Sequence, residues 1–268
     1  MIQSMVYTLY RYILFNRIKP LGFNSLKGKT IVFAPHQDDE TLACGGTIYL
    51  NKQVGTCVKI VFMTDGSNSH SGMISRDELR DIRASEAVAA ARDLGVEKKD
   101  LIFLGYEDGK LNDNRDGAVN RVGDILEREE PKSIFIPSLN EPPIGHWVTA
   151  EIVLSALRKL AFLTSVYEYP VWLWYQWPWI RVNRDRDRWL TSWKRKIKSA
   201  PGFNPIFQFR YGVNIKDILN VKMSALQNYS SQMVRYQANP AWEILPDVGD
   251  GTFLNCFFSD YELFRRNR

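Results

Sequence analysis

A histidine and three successive acids follow a short apolar run near the start of the chain, in the stretch APHQDDE. His36 and Asp39 are three residues apart, which suits two metal ligands on a turn that enters a helix. Neighbouring carboxylates at the end of a buried strand cannot stay ionised without a compensating charge, and a metal ion supplies that charge most economically. Zinc accepts histidine nitrogen and aspartate oxygen. The stretch therefore predicts part of a zinc site.

Asp38 lies between these two residues and would point elsewhere, where it can act as a general base on the attacking water. A catalytic zinc has three protein ligands and a fourth position for water, so a third ligand is needed. Only His70 and His146 remain as histidines, and His146 is the better candidate because it opens a helix after the fourth predicted strand. The competing interpretation of the acidic turn is a helix N-cap in a solvated loop.

Apolar runs and amphipathic segments alternate along the chain from residue 30 to about residue 162. Strands are predicted at 30–35 and in CVKIVFMTDG, DLIFLGYEDGKL and KSIFIPSLN, and helices in TLACGGTIYLNKQ, RDELRDIRASEAVAAARDLGV, GAVNRVGDILEREEP and HWVTAEIVLSALRKLAF. This alternation is typical of an α/β fold with a mostly parallel sheet and helices on both faces, where ligands bind beyond the carboxyl ends of the strands. The polar residues expected at that edge are Asp65, His70, Asp108, Asn140 and His146.

Three parts are predicted along the chain. Residues 1–28 are an apolar and basic N-terminal segment, residues 29–170 the catalytic domain, and residues 171–268 a C-terminal appendage that completes it, with one clear helix in VKMSALQNYSSQMVRY. Basic residues interrupt and follow the N-terminal apolar run, and no cleavage site is visible, so neither a signal peptide nor a spanning helix is expected. Three cysteines without a CxxC pair favour a reducing cytoplasm.

Six tryptophans and eight basic residues are concentrated in the segment VWLWYQWPWIRVNRDRDRWLTSWKRKIK, residues 171–198. Indole rings and basic side chains suit an anionic membrane surface, so one expectation is a peripheral contact with the inner face of the membrane. The alternative is that the tryptophans pack the appendage onto the domain or line a sugar-binding cleft. Single-strand nucleic-acid binders share this composition, but a net charge of +5 is too moderate for one, and no nucleic-acid partner is expected.

The first motif, APHQDDETLACGG, resembles the AHPDDE signature of the LmbE/PIG-L family of zinc-dependent deacetylases, which act on N-acetylglucosamine conjugates and related amides. Similar blocks follow in order in VFMTDG, RASEAVAAARDLGV, FLGYEDGKL and IFIPSLNEPPIGHWVTAEIV, with a weaker similarity in KMSALQNYSSQ. The resemblance covers about residues 29–160. It implies a Rossmann-like LmbE fold and a hydrolase that removes an N-acetyl group from an amino sugar or a conjugate, such as a glycoside, a lipid-linked sugar or an antibiotic precursor.

The resemblance also implies roles for the residues of the metal motif. It makes His36, Asp39 and His146 ligands of Zn²⁺ and Asp38 the general base. Glu40 is expected to cap or charge the helix N-terminus and not to bind the metal.

Two further residues match family positions that hold sugar hydroxyls. These are Arg83, in the RxxE block, and Asp108, in the YEDG block. The alternative for Arg83 is a helix-surface arginine paired with Glu86 or Asp93. The alternative for Asp108 is an ordinary turn acid.

The chain departs from the family pattern in two motifs. Gln37 replaces the proline of HPDDE. The block EPPIGH stands where members often have EPHPDH, so Pro143 replaces the histidine thought to donate to the oxyanion and the leaving group. His70 is the candidate substitute on the substrate side, and the alternative for it is an exposed loop histidine. The departure keeps two other functions open, an amidase that removes a larger acyl group from a sugar–thiol or antibiotic conjugate and a non-catalytic binding module.

Overall fold

The computed structural model describes residues 12–22, 28–176 and 208–267. Most of the Trp/Arg-rich segment, from residue 177 onward, lies outside these residues, as does the start of the N-terminal segment. The expectation of a membrane contact therefore stays a prediction. Within the described ranges, no helix combines the length and the apolar character that crossing a membrane would require.

Strands and helices alternate through the first two thirds of the chain, as the sequence predicts. The strands are β1 (Lys19–Pro20), β2 (Thr30–Ala34), β3 (Val58–Thr64), β4 (Leu101–Tyr106), β5 (Ser133–Pro137), β6 (Ser165–Tyr169), β7 (Tyr211–Asn214) and β8 (Tyr261–Asn267). The α-helices are α1 (Asp39–Gln53), α2 (Arg76–Asp93), α3 (Arg115–Glu129), α4 (Ile144–Leu157), α5 (Leu219–Gln227), α6 (Ser230–Met233) and α7 (Thr252–Asn255).

The described strands form one sheet in the order β1-β7-β8-β6-β5-β2-β3-β4. Neighbouring strands from β6 to β4 pair in parallel, and only β8 runs antiparallel to its neighbours β6 and β7. The predicted mostly parallel α/β sheet is confirmed.

Alternating side chains of β2 explain why helices cover both faces of the sheet. Val32 and Ala34 belong to the hydrophobic cluster that includes residues of α1, α2 and α5, whereas Ile31 and Phe33 belong to the cluster with α3 and α4. Successive residues of a strand point to opposite faces, so a strand that is apolar throughout must be buried on both sides. All five residues of β2 are buried.

The C-terminal part of the chain joins this sheet instead of forming a layer of its own. β8 pairs with β6, and β7 pairs with β8, while α5 packs against α1 and α2. The single helix predicted in VKMSALQNYSSQMVRY is wrong in extent, because α5 ends at Gln227 and the short α6 begins at Ser230. The strands β7 and β8 were not predicted from the sequence.

The order of the strands creates a switch point beside β2. The chain proceeds from β2 to β3 and β4 on one side, and then crosses to β5 and β6 on the other. Loops that leave β2 and β5 at their carboxyl ends therefore diverge and open a crevice, which is where ligands bind in such sheets. His36 follows β2, and His146 follows β5 in the first turn of α4.

Candidate active site

Three of the predicted site residues meet at this switch point. Side-chain atoms of His36, Asp39 and His146 that could ligate a metal all lie within 4.8 Å of one another. We call these residues the His–Asp–His cluster. The sequence predicted this set, and the parallel β2–β5 pair brings its two halves together from positions more than a hundred residues apart.

One oxygen of Asp39 is the common point of the cluster. Its Oδ2 accepts a hydrogen bond from the backbone N–H of His36 at 3.0 Å and lies 3.2 Å from His36 Nδ1. The same oxygen is 3.5 Å from Nε2 of His146. The two imidazole rings are 5.4 Å apart between centroids. Three potential ligand groups thus face one small volume.

The chemistry of His146 fits a metal ligand. The side chain is fully buried, and neither ring nitrogen makes a hydrogen bond with the described residues. A buried polar atom without a partner is costly, and a cation bonded to one nitrogen removes that cost. Oε2 of the buried Glu141 lies 3.4 Å from Nδ1, where a carboxylate can orient a ligating imidazole.

Glu141 is a functional candidate that the sequence analysis missed. Its carboxylate accepts hydrogen bonds from the backbone N–H groups of Val171, Trp172 and Leu173 at 2.8 to 3.2 Å. It therefore connects the turn after β6 to His146. The signal in the sequence was an acid that follows β5 within the EPPIGH block, five residues before the histidine.

The electrostatics of the cluster favour positive charge at this point. Burial lowers the pKa of His36, but the charge of Asp108 and hydrogen bonds to Asp108 and Asp39 outweigh it and raise the pKa to about 10. Burial raises the pKa of Asp39, but His146 and His36 hold it below its ordinary value. Ionised carboxylates around imidazoles are the condition that a cation site requires.

Asp38 lies beside the cluster without belonging to it. Its backbone has φ 144° and ψ −29°, a conformation that non-glycine residues adopt only when the surroundings hold them there. Oδ2 lies 3.2 Å from Nη2 of Arg83. Burial raises the pKa of Asp38 to about 8, although the charge of Arg83 opposes the rise. A carboxylate with a pKa near neutrality suits a general base.

Glu40 supports the turn that carries Asp38. Its Oε2 accepts a hydrogen bond from the backbone N–H of Asp38 at 3.1 Å, and its Oε1 accepts one from the hydroxyl of Tyr229 at 2.5 Å. Glu40 itself is fully buried. The residue thus ties the first turn of α1 to the C-terminal part of the chain.

Arg83 is buried, with only 2% of its surface exposed, so the alternative of a helix-surface arginine is wrong. Besides Asp38, its Nη2 contacts the backbone carbonyl of Gln37 at 2.6 Å. Glu86, a partner of Arg83 in that alternative, accepts hydrogen bonds from the N–H and Oγ of Ser231 instead, at 2.6 and 2.7 Å.

Asp108 contacts the cluster directly. Its Oδ1 is 3.1 Å from Nε2 of His36, and its Oδ2 accepts a hydrogen bond from the N–H of Asn68 at 3.3 Å. Burial raises the pKa of Asp108, but His36 and Arg83 hold it well below its ordinary value. The backbone N–H of Asp108 donates to Oδ1 of Asp65 at 3.0 Å, so Asp65 stabilises the loop that carries Asp108.

His70 is 4% exposed, so the alternative of an exposed loop histidine is wrong. Its ring stacks on Trp242 with centroids 3.8 Å apart. Nε2 donates to the backbone carbonyl of Glu243 at 2.8 Å, and Nδ1 lies 3.0 Å from Oγ of Ser69. Burial lowers the pKa of His70. Both nitrogens therefore have partners, and a donor role toward substrate stays a prediction.

A cavity of about 470 Å³ opens over the cluster. This volume lies in the range of about 300–1,000 Å³ that holds small molecules. The polar half of its lining comes mainly from the loops after β2, β3 and β4 and includes His36, Asp38, Arg83 and Asp108. The other half is an apolar wall, which we define as Leu42, Pro143, Val171, Trp172, Ile244, Leu245 and Val248.

The structure also places two predicted residues away from direct contact with the cavity. Neither Asp65 nor Asn140 lines it. Asn140 is exposed, and its N–H donates to Oγ of Ser138 at 3.2 Å.

Comparison with known proteins identifies the segment that carries this geometry. Residues 31–157 match the family described as PIG-L: GlcNAc-PI de-N-acetylase. The chain carries a PIG-L (LmbE-like) domain. The matched residues include the whole His–Asp–His cluster, Asp38, Arg83 and Asp108.

Curated relatives of this PIG-L domain include two deacetylases and one hydratase. Diacetylchitobiose deacetylase of Thermococcus kodakarensis is 25% identical over 223 residues, which are 83% of this chain and 74% of the relative. Probable N-acetyl-alpha-D-glucosaminyl L-malate deacetylase 2 of Bacillus anthracis is 32% identical over 48% of this chain and 59% of the relative. 4-Oxalmesaconate hydratase of Pseudomonas putida is 26% identical over 45% of this chain and 48% of the relative.

A solved structure shows the same fold. N,N'-diacetylchitobiose deacetylase from Pyrococcus horikoshii, in complex with an inhibitor, has a TM-score of 0.64 at 21% sequence identity. The similarity covers 100% of this chain and 93% of that chain. The fold shared with that structure therefore includes the described C-terminal residues that follow the matched segment.

Proposed function

We propose that this protein is a zinc-dependent hydrolase that removes the N-acetyl group from an amino sugar conjugate. The observation that carries the proposal is the His–Asp–His cluster, with the fully buried His146 whose ring nitrogens make no hydrogen bond among the described residues. Deacetylases among the relatives support the reaction class.

The cluster residues His36, Asp39 and His146 would hold the zinc, a set of two imidazoles and one carboxylate that zinc accepts. When bound, zinc would polarise the amide carbonyl and lower the pKa of water from about 15.7 toward about 7. Asp108 and Glu141 orient the two histidines from outside the cluster, at 3.1 Å and 3.4 Å.

Asp38 transfers the proton. As the water oxygen bonds to the carbonyl carbon, Asp38 takes the proton that the water loses. When the bond between carbon and nitrogen breaks, Asp38 returns that proton to the nitrogen, which leaves as the amine of the sugar, and the acetic acid that remains loses its own proton to become acetate. This second step needs no histidine at position 143, because the same carboxyl group acts first as base and then as acid.

The polar half of the cavity is suited to a sugar. Arg83 and Asp108 would hold sugar hydroxyls there, and Arg83 also balances the charge of Asp38. The apolar wall would hold a hydrocarbon or aromatic group attached to the sugar, since an amino sugar alone has little apolar surface to bury. A glycoside, a lipid-linked sugar or an antibiotic precursor meets both requirements.

The test combines metal content with product release. Purified protein should contain close to one zinc per chain, and a chelator should abolish acetate release, which added zinc should restore. The substrates should be N-acetylglucosamine and N-acetylglucosaminides with octyl or phenyl aglycones, with faster turnover expected on the conjugates.

Other outcomes would identify the competing functions. Release of longer acids from N-acylglucosamines in preference to acetate would indicate an amidase for larger acyl groups. Zinc without any hydrolysis would indicate a binding module. Addition of water to an unsaturated polycarboxylate would place the chain with its hydratase relative, although such a substrate is poorly matched by the apolar wall.

A further inference from the structure

Gln37 is buried next to the proposed base, and its amide oxygen has no hydrogen-bond partner among the described residues. Only 1% of the residue is exposed. Its Nε2 donates a hydrogen bond to the backbone carbonyl of Thr64 at 2.8 Å, which determines the orientation of the amide. Its Oε1 is buried and makes no hydrogen bond with the described residues.

Nε of Arg83 is a buried donor in the same situation. Both atoms lie close to one point, the position that a Cβ on Gly66 would occupy. Gln37 Oε1 is 2.4 Å from that point, and Arg83 Nε is 3.0 Å from it. Gly66 has φ +65°, so its backbone conformation and the limited space both require glycine there.

We propose that Gln37 is a positioning residue that holds Arg83 against the base Asp38. In the working enzyme its Oε1 accepts a hydrogen bond from Arg83 Nε, which satisfies both buried atoms with a small movement of either side chain. The proposal rests on the proposed function, because Asp38 is the base of that reaction.

The other contacts that link Gln37 to Arg83 and Arg83 to Asp38 are present in the structure. The backbone carbonyl of Gln37 contacts Nη2 of Arg83 at 2.6 Å, and the same nitrogen lies 3.2 Å from Oδ2 of Asp38. A guanidinium group is rigid and planar, so holding Nε and Nη2 together also determines the direction of the whole group. Gln37 thereby determines where the Asp38 carboxylate points.

This role is particular to a chain with glutamine at this position. A proline side chain, as in the HPDDE signature, has no polar atom and could neither bind the carbonyl of Thr64 nor accept from Arg83. The departure from the signature therefore adds a support for Arg83.

A double-mutant cycle tests the proposal. Gln37→Met keeps the length of the side chain and removes the acceptor, so kcat should fall by about tenfold while zinc content stays at the wild-type level. Gln37→Glu keeps an oxygen toward Arg83 but loses the donor to the carbonyl of Thr64, so it should recover part of this loss. Arg83→Lys removes the Nε donor, so Gln37→Met should have almost no further effect in that background.

The melting temperature of the same four proteins is a second readout that needs no substrate. The effects of the two substitutions should again be less than additive. Asn51→Leu is the matched control, since Asn51 is a buried amide on α1 that makes no side-chain hydrogen bond within the described part of the chain and does not line the cavity. Its effect on the melting temperature should simply add to that of Arg83→Lys.

Additive effects of Gln37→Met and Arg83→Lys in both measurements would overturn the proposal, as would wild-type kcat in Gln37→Met. Coupled melting temperatures in a protein that hydrolyses none of the amides would confirm the contact between Gln37 and Arg83. The same result would reject the proposed function and, with it, the role of Asp38 as a base.

Discussion

The two halves of the cavity differ in how the chain builds them. The polar half comes mainly from loops that follow parallel strands and from Arg83 of α2, within residues 31–157, and each of these main residues belongs to a short motif. The apolar wall combines residues of α1 and of the turns around β5 and β6 with residues 244–248 near the C-terminus. The reaction therefore depends on local motifs, whereas the shape of the substrate site depends on distant segments that pack together.

The largest effect is expected from breaking the polar half at its centre. His146→Ala removes one of the three proposed zinc ligands, so zinc should be lost. Activity should fall by more than the loss of about 100-fold that removing a hydrogen-bond partner of a ligating histidine can cause. Zinc content and acetate release measure the two losses in the same preparation. Full zinc content in this variant would remove His146 from the site.

Asp38→Asn should separate base from ligand. The variant should keep its zinc, because Asp38 lies outside the cluster, while kcat should fall by about a hundredfold or more through loss of the general base. Loss of zinc together with activity would mean that Asp38 and Asp39 have exchanged roles.

Glu141→Gln tests both sides of the cavity, because Glu141 contacts the metal-site histidine and the backbone of the apolar wall. Its carboxylate faces His146 and also holds the backbone of Val171 and Trp172 in the apolar wall. Zinc affinity should fall by about 10- to 100-fold, as for other partners of ligating histidines. KM for an octyl glycoside should rise as well, and competition with a chromogenic chelator measures the affinity.

An unchanged zinc affinity in Glu141→Gln would assign Glu141 to the wall alone. An unchanged KM with weakened zinc would assign it to the metal site alone.

The smallest effect is expected from the wall itself. Ile244→Ser should lower kcat/KM for an octyl N-acetylglucosaminide by about tenfold, because an apolar contact is lost, and should leave kcat/KM for N-acetylglucosamine close to wild type. Ile144→Ser is the matched control, since Ile144 is 61% exposed and does not line the cavity. Equal losses on both substrates would show that the wall does not contact the aglycone.

Much of the polar half of the cavity could be predicted from the sequence. The apolar run of β2 needs burial on both faces, which implies a parallel sheet, and polar residues that follow such strands must then meet at one edge. His36, Asp39 and His146 were predicted together on that ground and by resemblance, and the structure brings them within 4.8 Å.

Burial of the neighbouring side chains could not be predicted in the same way. The sequence is also consistent with a surface location for His70 and Arg83, because loops and polar helix faces are normally exposed to solvent. In the structure, Trp242 stacks on His70, and the carboxylate of Asp38 forms an ion pair with Arg83.

The sequence by itself determined the alternation of strands and helices and the residue types at the switch point, since strand periodicity and strand-end motifs are local properties. Only the tertiary structure decided that β7 and β8 join the sheet, that Glu141 connects His146 to Trp172, and that residues 244–248 face the cluster. The physical reason is that these contacts join segments far apart in the chain, and which of them form depends on how the whole core packs.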